Sequence, residues 1–198
     1  MKLPVHAAME QRIFSRRADG WPLTEWYLDL KREGGDGPRD KILTIEYQPL
    51  EDRRPTGVFQ ILAEWEWGEK QIVRSILEKG VLEPSADFTP VGNRLNSGIS
   101  LLMDKAEWYG LRKFTIEDVR RFWSTKPMVD LSTVLAAVNG GMALREEGPS
   151  LVANWYREAQ YTEIIEYVTK EKDGLLSLLR ELPALLAPGA GRQETPPR

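Results

Sequence analysis

The side chains available for chemistry are mostly carboxylates. The chain has no cysteine and a single histidine, His6, so a thiolate metal site, a disulfide framework and a Cys-His nucleophile pair are excluded. Any metal would be held by carboxylate oxygen, which suits Mg²⁺ or Mn²⁺. Asp29 ends an apolar run, WYLDL, at the edge of a turn. Tyr167 and Glu171 are four residues apart, so a helix would put them on one face, although Ile164 and Val168 beside them equally suit a core tyrosine. Asn93, Arg94 and Asn96 lie between a strand and a helix. There they could contact a backbone phosphate, or serve as ordinary caps and turn residues.

Periodicity places these residues on elements. Runs 26–30, 42–50 and 58–65 have the apolar alternation of strands, with KREGGDGPRDK and EDRRPTG as turns between them, and they predict an antiparallel three-stranded meander. Ile72, Val73, Ile76 and Leu77 then repeat with helical period over 69–79, closed by Gly80. A short strand over 86–92 and a helix over 98–109 form a second strand-helix unit. Further helices are expected over 115–123, 130–138 (before Asn139-Gly140-Gly141), 161–171 and 173–186. Strands followed by strand-helix alternation and a helical last third predict one α/β domain with a mixed sheet flanked by helices. The expected division is an N-terminal extension over 1–23, the domain over 24–186 and a Pro/Gly-rich disordered tail over 187–198.

With 198 residues, 41% of them hydrophobic, one well-filled core is the natural size. Twenty-seven basic against thirty acidic residues give a net charge of −3, so no global basic field attracts nucleic acid and such a role would need a local patch. Arg53-Arg54, Arg112-Lys113 and Arg120-Arg121 are candidates, against the commoner role of such charges on a solvated face. No apolar run reaches the length of about 18 residues needed to span a bilayer, and MKLPVHAAMEQRIF has no signal-peptide core, so a cytoplasmic protein with no membrane role is expected. The 29% charged content and absent cysteine also fit a thermophile. P-loop, dinucleotide and nucleophile-elbow motifs are all missing. Of the seven tryptophans, most should be core. Trp65 and Trp67 would share one side of an extended segment and offer a stacking or partner surface.

Four segments carry a family resemblance. WYLDLKREGGDGPRDKILTIEYQPL resembles the first strand and turn of RNase H-like 3′-to-5′ exonucleases of the DEDD type, related to the proofreading domain of family B DNA polymerases. VGNRLNSGISLL resembles their second motif, EYVTKEKDGLLSLL their third, and MVDLSTVLAAVNGG the helix between these two. Together they cover about residues 25–182. The resemblance implies an RNase H-like fold and four carboxylates holding two divalent ions, one activating the attacking water and one stabilising the leaving oxygen.

Carried over by position, Asp29 matches the first acid and Tyr167 the water-orienting tyrosine, while Glu171 replaces the last aspartate. Lys31 and Gly98 stand where two further acids belong. Metal ligation would fall to Asp29 and Glu171 alone, and a lysine puts positive charge where a cation would sit. The expectation is therefore a degenerate exonuclease-like protein without two-metal catalysis, with no cofactor or only weakly held Mg²⁺ or Mn²⁺. It would act as a binding module for single-stranded DNA or RNA or for a protein partner. Two alternatives stand beside it. One is a working Mg²⁺- or Mn²⁺-dependent exonuclease that uses Asp29, Glu171 and one of Glu33, Asp130 or Asp173, with Glu46 a further acid nearby on the second strand. The other is a structural subunit of a larger assembly without nucleic-acid contact, suggested by the acidic balance and the many aromatics.

Overall fold

The computed structural model describes residues 24–34, 39–84, 88–133 and 148–185. The expected N-terminal extension (1–23), the tail (187–198) and the part of the 130–138 helix beyond 133 lie outside the described residues. The described chain forms a mixed sheet with helices on both faces. In chain order its elements are β1 (Thr24–Glu33), β2 (Lys41–Glu51), β3 (Arg54–Pro55), β4 (Gln60–Ala63), α1 (Glu64–Trp67), α2 (Glu69–Glu78), β5 (Phe88–Gly92), α3 (Leu95–Trp108), α4 (Ile116–Thr125), β6 (Val129–Asp130), α5 (Gly148–Arg157) and α6 (Tyr161–Leu185).

Pairing runs β3-β2-β1-β5-β6, with β4 also on the outer edge of β2. β1, β2 and β4 form the expected antiparallel meander, and β5 and β6 join β1 in parallel. β2 is buried along most of its length, as a central strand covered on both faces must be. Alternation along β1 sends Trp26 and Leu28 to one face and Tyr27 to the other, with Asp29 and Lys31 following Tyr27. On the first face, Trp26, Leu28, Ile45 and Tyr47 pack against Ile72, Val73 and Ile76 of α2 and Ile99 and Leu102 of α3. On the second, Tyr27 and Leu50 meet Leu176 and Leu179 of α6, and Leu43 meets Val152 of α5 and Ile164 and Val168 of α6.

Several elements differ from the sequence expectation. The third strand stops at Ala63, and the chain turns there into the one-turn helix α1, so Trp65 and Trp67 do not share a side of an extended segment. Trp65 stacks on Tyr161 with ring centroids 4.5 Å apart, while Trp67 is half exposed. That stack rewards the helical turn, and Gly68, with φ +76°, links α1 to α2 in a conformation open to glycine. The two expected helices over 161–171 and 173–186 are one helix, α6. It continues through Gly174 because burial of Leu176 and Leu179 outweighs the cost of about 1 kcal/mol for a mid-helix glycine. α3 begins at Leu95 rather than 98, which makes Asn96 its second residue rather than part of the preceding loop. β6 and α5 have no counterpart in the sequence reading.

Candidate functional site

The residues carrying the resemblance come from the centre of the sheet and from its covering helix. β1 and β2 pair so that Asp29 lies opposite Glu46 and Lys31 opposite Thr44, and the register shifts just beyond, between Lys31 and Arg32. This puts Asp29, Lys31 and Glu46 on the face covered by α6, whose Tyr167 and Glu171 are a helical turn apart and project together.

Lys31 is the centre of the group. Its ammonium lies 2.9 Å from Asp29 Oδ2 and forms a second ion pair with Glu171. It also stands 5.8 Å from the centroid of the Tyr167 ring. The Leu30 amide donates to Asp29 Oδ1 at 2.8 Å, and the Tyr27 and Tyr167 hydroxyls approach Asp29 and Glu171 at 3.4 Å. Asp29 is 4% exposed and Glu46 0%. Glu46 makes no hydrogen bond of good geometry among the described residues, although the Thr44 hydroxyl, two positions along β2, is near enough to favour its ionised form.

Burial, then the charge of Asp29, pushes the Glu46 carboxyl up to about 8, with Lys31 opposing the rise; near neutral pH it is largely protonated. Burial works against the Lys31 ammonium, but Asp29, Glu171 and Glu46 outweigh it and hold its pKa above the ordinary lysine range. Tyr27 is raised well above the usual phenol range by burial first and by the neighbouring carboxylates second. The site is therefore a closed electrostatic unit with a permanent internal cation.

α5 helps to close it. Arg157 at its end pairs with Glu33 of β1 at 2.6 Å, and Trp155 meets the Tyr167 ring edge-on with centroids 5.9 Å apart. The Tyr156 hydroxyl accepts from Lys41 of β2 at 2.6 Å.

Gly98 occupies a different side of β1. A Cβ built there would sit 3.8 Å from the Cβ of Leu30, whose side chain leaves the strand on the face opposite Asp29 and Lys31. Gly98 lines a cleft of about 220 Å³ between β1 and α3, whose lining also takes in Asp29, Leu30, Lys31, Asn93 and Arg94. Asn93 and Arg94 thus come to the cleft rim, and Arg94 takes a left-handed conformation (φ +50°) at the start of α3. Asn96 lines a neighbouring hollow that Arg94 also borders. The Asn96 backbone N–H approaches Asp130 Oδ2 at 3.4 Å, while Asp130 Oδ1 accepts from the Ser132 backbone N–H at 3.1 Å and from its hydroxyl at 2.6 Å. Asp130 is thus a capping carboxylate that ties the start of α3 to the chain at Ser132.

The other spare acids are also engaged away from Lys31. Glu33 holds Arg157, and Asp173, 67% exposed, pairs with Lys172. Of the nearby acids only Glu46 joins the cluster. Sequence reasoning missed Tyr27, although its place two residues before Asp29 on a strand was a usable signal. The basic stretches behave as ordinary surface charge where partners are seen, Arg112 with Glu83 and Arg120 with Glu117.

A divalent ion does not fit this donor set. The Lys31 ammonium already fills the space between Asp29 and Glu171, and a second cation there would be repelled at short range. Among the described residues no group of three acids is arranged to hold a metal ion. No helix of the described residues is long and apolar enough to cross a membrane. No protein-family model matches the sequence, and a search of curated proteins finds no match.

Proposed function

We propose that this chain is a degenerate relative of RNase H-like 3′-to-5′ exonucleases that has lost two-metal catalysis and serves as a nucleic-acid-associated binding or interaction module. One observation carries the reading: the Lys31 ammonium stands between Asp29 and Glu171, the two acids that remain of the motif set. An internal cation on the strand cannot bring an activated water or stabilise a leaving oxygen as a pair of metal ions does. It can hold the first strand and last helix together and keep the face neutral enough to bury. The mixed sheet, with its antiparallel meander and parallel strands between two helical layers, supports the RNase H-like assignment. Asn93 and Arg94 on the cleft rim are the groups for a strand backbone.

The alternative of an exonuclease with recruited acids finds less support, because Glu33, Asp130 and Asp173 are each engaged elsewhere. The structural-subunit alternative is favoured by Trp108 and Ile116, which are 74% and 80% exposed, since large exposed apolar side chains suit a partner surface.

The test is digestion of 5′-labelled single-stranded DNA and RNA in Mg²⁺ or Mn²⁺, alongside filter retention across a salt series. No ladder is expected, with salt-sensitive retention that Arg94→Ala weakens. A ladder abolished by EDTA and by Asp29→Asn would overturn the non-catalytic reading. Neither cleavage nor retention would favour the protein-interaction subunit.

A further inference from the structure

Trp67 closes the one-turn helix α1 and is 53% exposed. Trp65, two positions earlier, is stacked on Tyr161, but among the described residues no ring contact or hydrogen bond engages Trp67. An indole left in water forgoes a large apolar burial. Trp67 borders a shallow hollow of about 490 Å³, together with Lys70, Gln71 and Arg74 of α2 and with Tyr109 just beyond α3. Lys70 and Arg74, both exposed, share one face of α2 about 6 Å apart along its axis. The Lys70 ammonium stands 6.0 Å from the centroid of the Tyr109 ring, and Arg74 donates to Gln71 at 3.3 Å. The acids of the hollow are engaged inside the protein, Glu64 with Lys41 at 3.0 Å and Glu69 with Lys105 at 2.9 Å. Glu66 and Glu78, exposed on α1 and α2, do not line it. Among the described residues no acid pairs with Lys70 or Arg74, so the hollow presents two uncompensated positive charges beside an uncovered aromatic ring.

We propose that this hollow is a binding surface for single-stranded nucleic acid, with a base stacked on Trp67 and backbone phosphates held by Lys70 and Arg74. The inference rests on the nucleic-acid reading given above and adds a second surface, which shares no described residue with the cleft bordered by Asn93 and Arg94. A flat ring accepts any base face, and cations beside it follow the sugar-phosphate backbone without reading sequence. A duplex keeps its base faces stacked inside and has none to offer Trp67. With a net charge of −3 the chain has no global basic field, so a strand has to be held by a local patch of this kind.

The experiment follows the anisotropy of a 5′-labelled oligothymidylate across a salt series, with the full chain unaltered and as Trp67→Ala, Trp67→Phe, Lys70→Gln/Arg74→Gln and Arg94→Ala. Trp67→Ala should weaken binding about fivefold or more with the salt dependence unchanged, and Trp67→Phe should restore most of the loss. Lys70→Gln/Arg74→Gln should lower the slope of log affinity against log salt by about 1.4, the share of two phosphate contacts on a single strand. If Trp67→Ala does not fold, as read by circular dichroism, the slope of the double variant decides. Binding that all the Trp67, Lys70 and Arg74 changes leave intact, while Arg94→Ala weakens it, would overturn this surface and leave the cleft reading standing. No binding by the unaltered chain would overturn both. An acidic Glu-Tyr peptide that binds in a Trp67-dependent way where the oligonucleotide does not would overturn the nucleic-acid assignment in favour of a protein partner.

Discussion

Asp29 and Glu46 are cross-strand partners on the same face of the β1–β2 pair. Two carboxylates directly opposite would repel each other. The protein avoids this by giving Asp29 a lysine and an amide donor, and by burying Glu46 so deeply that it keeps its proton.

That arrangement predicts an unusual pH dependence. The Glu46 carboxyl is raised in the folded state from its ordinary 4.5 to about 8. The folded protein therefore holds a proton that the unfolded chain releases, and this contribution is full below about pH 4.5 and lost as pH rises towards about 8. Urea titrations across that window should show the unaltered protein losing stability relative to Glu46→Gln, which keeps a neutral side chain throughout. A difference curve that is flat, or rises with pH, would refute the assignment.

Lys31 should matter more for stability than its place on a short ion pair suggests. In metal-free buffer, Lys31→Met strands Asp29 and Glu171 as buried carboxylates without a counter-charge, a loss of about 3 to 5 kcal/mol for breaking such a pair from one side. Lys31→Met combined with Glu171→Gln should cost less than the sum of the two single changes, because each removes the same interaction. Denaturant midpoints of the four proteins measure this directly.

A second buried ion pair holds the other face. Glu69 of α2 accepts from the Ile42 amide at 2.7 Å and the Tyr109 hydroxyl at 2.5 Å, and pairs with Lys105 of α3 at 2.9 Å. Glu69→Gln would leave Lys105, 7% exposed, without its counter-charge, and a loss of about 3 kcal/mol is expected in thermal or urea unfolding. Lys70→Gln on the same helix should change little.

The two glycines on either side of the β5–α3 turn should respond oppositely. A Cβ at Gly92 would collide with the carbonyl oxygen of Leu28, whereas at Gly98 the nearest neighbour is the Leu30 Cβ at 3.8 Å. Gly92→Ala should disrupt the β1–β5 pairing and reduce soluble yield and melting temperature. Gly98→Asp should fold normally, since its new carboxylate opens on the cleft. Circular dichroism melts of both distinguish these outcomes.

Much of this was legible in the amino-acid order because it is governed by local periodicity. Alternation located the meander. The 3.6-residue period located α2 and α4 and set Tyr167 beside Glu171. Where local signals compete with distant packing, the reading failed. The chain after Ala63 looked like more strand, but the stack of Trp65 on Tyr161 closes it into a helical turn. From the sequence, the last helix divides at Lys172, but packing of Leu176 and Leu179 carries α6 through that point.

By itself, then, the sequence determined the kinds of elements and which neighbours within each share a face, since backbone geometry fixes both over a few residues. Docking of distant elements set the rest: Glu171 reaches Lys31, Glu46 is fully buried opposite Asp29, Asp130 is a cap, and Gly98 comes beside Leu30 in the cleft between β1 and α3. Those are contacts between distant parts of the chain. They follow from strand register and helix docking, which the whole core sets and no local spacing encodes.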